Sequence, residues 1–273
     1  MVDTKRQLRP AQLLMALKLL IVVLTFIALG VILARTLVSP EWKLAITYSG
    51  IGFYITTLLV NPLLGFLLWI ATSPFARFWY LNISLGASIP DLSLDRLAAA
   101  LAFILVMAPL AIRKRNLARF SVVDLFMLLF VIGTGISLPF AIAGPRATAQ
   151  AYFDTQIVPL LIYFLAKNLI SNKDTAKLAA GTLLVIGAYM AFLVINEQLT
   201  GVVLFYPEGR TLTYTAHLRR AVGLLGNPAF FAIILGMILP FSLRAFLRAQ
   251  QRWLQLLLVV LNGGIVYALY FCY

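Results

Sequence analysis
The feature that most constrains this chain is a succession of nine apolar windows, at 14–37, 43–60, 62–76, 94–112, 121–141, 151–170, 177–196, 221–243 and 253–272. Each is closed by charges, proline or glycine. About 20 apolar residues is the length an α-helix needs to cross the ~30 Å hydrocarbon core of a bilayer. Inside that core every backbone donor and acceptor must be met within the protein, so long apolar windows predict helices rather than open strands. The expected fold is all-α, a polytopic integral membrane helical bundle of about nine spans forming one transmembrane domain over 1–273. Composition agrees, with 62% hydrophobic and 11% charged residues against roughly 45–50% and 25% in ordinary globular domains. No stretch remains for a separate soluble domain.

A net charge of +13 raises the question of nucleic acid, but the 22 Lys and Arg are dispersed in small groups between apolar runs. That dispersal is a topology signal, and it argues against a nucleic-acid face. Nine spans with a cytoplasmic N-terminus put most cations inside. The inside groups are Lys5 to Lys18, Arg113 to Arg119, Lys167 to Lys177, and Arg244, Arg248 and Arg252. The outside set holds nothing denser than the pair Arg219-Arg220. The basic residues before the run 19–34 imitate a signal peptide, but the run exceeds a 7–15-residue apolar region, so it is expected to be a retained first span. Asn61-Pro62 separates the second and third windows without any charge, and it can be either a reversal or a kink. A short interfacial helix is expected near 75–81, beside Phe78, Trp79 and Tyr80.

Chemistry has few places to reside. The chain has one His, one Cys and nine acids, with no P-loop, zinc helix or nucleophile elbow. A protein-built metal site is therefore not expected, nor is any cofactor. The loop 197–220 holds His217, Arg210, Arg219 and Arg220. It leads into Gly223, Gly226 and Asn227-Pro228. A guanidinium offers a planar donor fork suited to phosphate oxygens, and glycines permit close backbone approach. Asn-Pro can offset a helix so that freed backbone groups face a cavity. The alternative reading has Arg219 and Arg220 snorkelling to the headgroup region while the glycines pack against neighbouring helices.

The run Arg220-x-x-Gly223-x-x-Gly226-Asn227-Pro228, opening a window interrupted by Pro240, resembles the O-antigen ligase and polymerase family. The Asn61-Pro62 break, the entry Ile89-Pro90-Asp91 to Arg96 and Asp124 at the head of the fifth window extend the resemblance along the chain. The resemblance implies a multi-pass protein of the bacterial inner membrane in cell-envelope polysaccharide synthesis. Its donor would be a glycan on a polyprenyl diphosphate, its acceptor another glycan or a lipid, and the transfer would be metal-independent at the outer face. It also implies that Arg220 contacts the diphosphate, with Arg219, Arg146 and Arg210 as further cations. The family continues Asn-Pro with a second Asn, where this chain has Ala229, and then runs on through a Ser-Arg motif and a histidine-bearing outer loop. The expectation is thus a chain covering the family's N-terminal two-thirds and inactive alone, with no assigned catalytic residue and His217 the candidate base.

Two acids, Asp154 and Glu197, are alternative bases or ion partners, for example of Arg146 and Arg210. They also suit a different class of function, a transporter or flippase for an anionic lipid or solute. A non-catalytic membrane subunit is the third reading.

Overall fold
The computed structural model describes residues 42–75, 82–83, 92–112, 118–140, 145–205, 220–221 and 225–272. The first window and the 76–81 segment lie outside these residues. The described chain is mostly helical, with one two-residue antiparallel pairing, β1 (Asn82–Ile83) with β2 (Leu92–Ser93). The helices are α1 (Trp42–Val60), α2 (Pro62–Thr72), α3 (Leu94–Ile112), α4 (Val122–Ile136), α5 (Pro145–Tyr152), α6 (Val158–Leu169), α7 (Lys173–Thr200), α8 (Pro228–Arg248) and α9 (Arg252–Cys272). Two compact units divide after Phe66.

In the first unit the Asn61-Pro62 break is a reversal and not a kink. Asn61 closes α1 by donating its amide to Thr57 O at 2.8 Å, and its Oδ1 accepts from Leu64 N at 3.2 Å to open α2. Residues seven apart in a straight helix lie roughly 10 Å apart along the axis. Here a Cβ built on Gly65 would stand 2.6 Å from Leu58 Cα, so the chain has folded back on itself. Only glycine fits that close approach.

Among the described residues, three helices are long and apolar enough to cross a membrane, all in the second unit: α7, α8 and α9. Their shared core is Ile186, Met190, Ala191 and Val194 of α7, Phe231, Leu235 and Ile238 of α8, and Ile265, Ala268 and Cys272 of α9. Gly187 lies against Ile238 and Ile265, and Gly264 against Ala191 and Ile195. Two levels set direction: Gly187 meets Ile265, and Glu197 lies near Cys272, so α7 and α9 run parallel, with α8 antiparallel between them in sequence. Their outer faces stay apolar, with Met237 68%, Leu247 80% and Val260 75% exposed. Water would penalise such faces, whereas lipid leaves them unpenalised.

The window 151–170 has more structure than one span. α5 and α6 are joined by a π-helical turn, Phe153–Ile157, in which Val158 N donates to Phe153 O. Pro159 explains it locally, because it has no amide with which to continue the α-helical ladder. Arg146 occupies the first turn of α5.

α4 begins with a capping box. Ser121 Oγ accepts from Asp124 N, and the Asp124 carboxylate accepts from Ser121 N. The same carboxylate, fully buried, is bonded by Lys167 Nζ and by Tyr163 OH at 2.7 Å. Lys167 also donates to Arg119 O at 2.9 Å. One acid therefore caps α4 and ties it to α6, where a bare carboxylate would be costly to bury.

Candidate functional site
The C-termini of α7 and α9 and the N-terminus of α8 meet at one end of the three-helix core. α7 ends at Gly201, whose left-handed φ of 77° lets its amide return to Glu197 O at 3.0 Å. That last turn leaves the Glu197 side chain with no exposed surface. Its carboxylate lies within electrostatic range of the Cys272 thiol at the end of α9.

Across from it, Ala221 N donates to Phe271 O at 3.0 Å, and Ala221 is fully buried. This one backbone bond pins Ala221 to the end of α9. Arg220, one residue earlier, is exposed. Gly226 takes φ 66°, a left-handed turn open to glycine, and directs the chain into α8. Asn227 is the N-cap of that helix, its Oδ1 accepting from Ala229 N at 2.9 Å, and Pro228 is the first helical residue. Asn227-Pro228 therefore starts the helix; it does not break one already under way at 221. The backbone amide that Asn227 occupies is unavailable to a ligand.

A second charged site lies at the head of α3. Arg96, 5% exposed, forms a two-pronged pair with Asp154: Nε to Oδ1 and Nη2 to Oδ2, each 2.6 Å. The π turn presents Asp154, which is 48% exposed on its open side. Asp154 is thus held by Arg96. Next to it, Asp95 Oδ1 accepts from Trp69 Nε1 at 3.4 Å. The segment after Leu67 links this site to the first, because Tyr189 OH of α7 donates to Ala71 O at 2.9 Å. Phe75 stacks near both Tyr189 and Phe205, at 5.0 and 5.4 Å between ring centres.

Of the residues singled out from sequence, the structure brings together Arg220, Gly226, Asn227, Pro228 and Glu197, at one bundle end. His217, Arg210, Arg219 and Gly223 lie outside the described residues. Among the described residues no cluster of three His, Cys, Asp or Glu is placed to hold a metal. The Arg96–Asp154 and Asp124–Lys167–Tyr163 links were not anticipated. Their signal was present as charged residues at the ends of neighbouring windows, but pairing them requires knowing which helices touch. Chemically, the first site offers an exposed guanidinium on an anchored backbone at the bundle end that also holds a buried carboxylate, and the guanidinium is suited to binding an anion. No protein-family model, curated protein or solved structure matches this chain.

Proposed function
We propose that this chain is a multi-pass membrane protein, with about nine spans and a cytoplasmic N-terminus, that handles polyprenyl-diphosphate-linked glycans in the manner of O-antigen ligases. The carrying observation is the backbone bond from Ala221 to Phe271, which anchors an exposed Arg220 at the end where α7 and α9 finish and α8 begins. Arg220 neutralises the diphosphate, whose charge grows as the glycosidic bond breaks, and so favours the leaving group. The transfer goes to a glycan or lipid acceptor at the outer face of the bacterial inner membrane. The distribution of charge supports the orientation: Lys173, Lys177, Arg244, Arg248 and Arg252 all belong to the opposite end of the same three helices.

The test is binding of a labelled polyprenyl-diphosphate glycan to the full chain in nanodiscs. Arg220→Ala is expected to weaken binding about 10- to 100-fold, the equivalent of one charge-assisted hydrogen bond of ~1.5–3 kcal/mol. Unchanged affinity sinks the diphosphate reading. Orientation is tested separately with single cysteines introduced at 115 and 210 in a Cys272→Ser background. An impermeant thiol reagent should reach the two from opposite sides of the membrane.

A transporter for an anionic lipid or solute is the second reading, and the complete burial of Glu197 favours it. Intramembrane carboxylates commonly serve as coupling groups. Transport would leave the glycan–diphosphate bond intact, whereas transfer would cleave it.

A further inference from the structure
We infer that the end of the α7–α8–α9 core opposite Glu197 is a binding site for anionic phospholipid headgroups. The inference rests on the membrane reading above but not on the glycan chemistry. Gly187 contacts Ile238 and Ile265, which puts those three residues at one level. At a rise of ~1.5 Å per residue, moving roughly 15–20 Å from that level reaches Lys177 on α7, Arg248 on α8 and Arg252 on α9. Lys173 and Arg244 lie within a turn or so of the same level. Five cations thus converge where three helices end.

They are poorly compensated. Asp174 is paired with Lys177 at 3.1 Å. Arg244, Arg248 and Arg252 are all exposed, and none has an ion pair among the described residues. Arg244 and Arg248 stand four residues apart on one helix face, where like charges repel. Arg252 occupies the first residue of α9, the end at which the helix dipole disfavours a cation. The link between the helices is braced by Gln255 Nε2 donating to Ala249 O at 2.7 Å, which keeps the backbones of Arg248 and Arg252 close. A phosphate diester placed between Arg248 and Arg252 would relieve both unfavourable terms, and a guanidinium fork matches its oxygens.

The surroundings select a lipid over a free anion. Leu247 is 80% and Trp253 63% exposed immediately beside the two arginines, and Leu256, Leu257 and Val260 continue the apolar surface along α9. A soluble phosphate has nothing to offer these side chains, whereas acyl chains would lie against them. Trp at such a boundary is also the residue enriched at headgroup level.

The experiment compares retention of phosphatidylglycerol and phosphatidylcholine by the full chain, read by native mass spectrometry, with inorganic phosphate as competitor. Preferential retention of phosphatidylglycerol, undiminished by millimolar phosphate, is expected. The double variant R248Q/R252Q should lower that preference by roughly fivefold for each arginine, and R248K/R252K should recover most of it. Thermal unfolding of both variants checks that the fold is intact. A chain that enters phosphatidylcholine vesicles yet retains both lipids equally overturns the site alone. Displacement by phosphate overturns the lipid assignment. A chain that does not enter vesicles overturns the membrane reading and the headgroup site with it.

Discussion

Gly187 is the most tightly enclosed glycine of the three-helix core. A methyl group there would lie 2.8 Å from Ile238 Cγ2 and 3.4 Å from Ile265 Cδ1, where carbon contacts settle at about 3.5–4.0 Å. Ile238 cannot easily swing aside, because it is 2% exposed and β-branched, with one strongly preferred χ1 in a helix. α7 and α8 must therefore separate by the better part of an ångström, and such overpacking costs about 1–3 kcal/mol. Replacing a helical glycine by alanine also gains up to about 1 kcal/mol of backbone entropy. Gly263→Ala, on α9 with no atom within 4 Å of the added methyl, supplies that gain without the clash. The difference between the two variants is thus expected to be about 1–3 kcal/mol, with Gly187→Ala the less stable. Cys272 provides the assay: it is the chain's one cysteine and is buried in this same core, so a thiol-reactive dye reports the core's opening as temperature rises. Ile238→Ala should be less damaging in the Gly187→Ala background than alone, because it removes the clashing methyl. Equal transition temperatures for Gly187→Ala and Gly263→Ala, or strict additivity with Ile238→Ala, would refute the packing argument.

Two further outcomes follow from the sites. Asp154→Ala removes both hydrogen bonds to a nearly buried guanidinium, and it is expected to destabilise the chain by about 1.5–3 kcal/mol in the same thermal assay, with Asp154→Glu closer to the parent. Asn227→Ala deletes the N-cap of α8 and should cost about 1 kcal/mol, whereas Asn227→Ser or Asn227→Asp should cost much less; equal loss in all three would show that the capping bond is not what stabilises this turn.

Secondary structure was legible in the sequence wherever one physical demand dominated. Windows 94–112 and 253–272 coincide closely with α3 and α9, because a long apolar run bounded by charges favours one continuous helix. Window edges were less faithful. α7 extends past the apolar run to Lys173 and Thr200, since Asn172 caps one end and Gly201 the other. α8 starts at Pro228 because Asn227 caps it there, although apolar residues begin at 221. Hydropathy measures transfer into lipid, whereas a helix end is set by where a side chain can replace a missing backbone partner.

The candidate site divides along the same line. From sequence came an unusual run of glycines, Asn-Pro and arginines after a polar loop. Tertiary structure alone decided that Ala221 is tied to Phe271, that Glu197 is buried near Cys272, that Arg96 engages Asp154, and that Asn61-Pro62 reverses the chain. Composition and periodicity determine whether a segment prefers lipid and what local structure it takes there, because those preferences are carried by each residue and its near neighbours. Which helix end meets which is set by steric fit between glycines and branched side chains, and by charges finding partners tens of residues away. Neither leaves a trace in any one stretch of sequence.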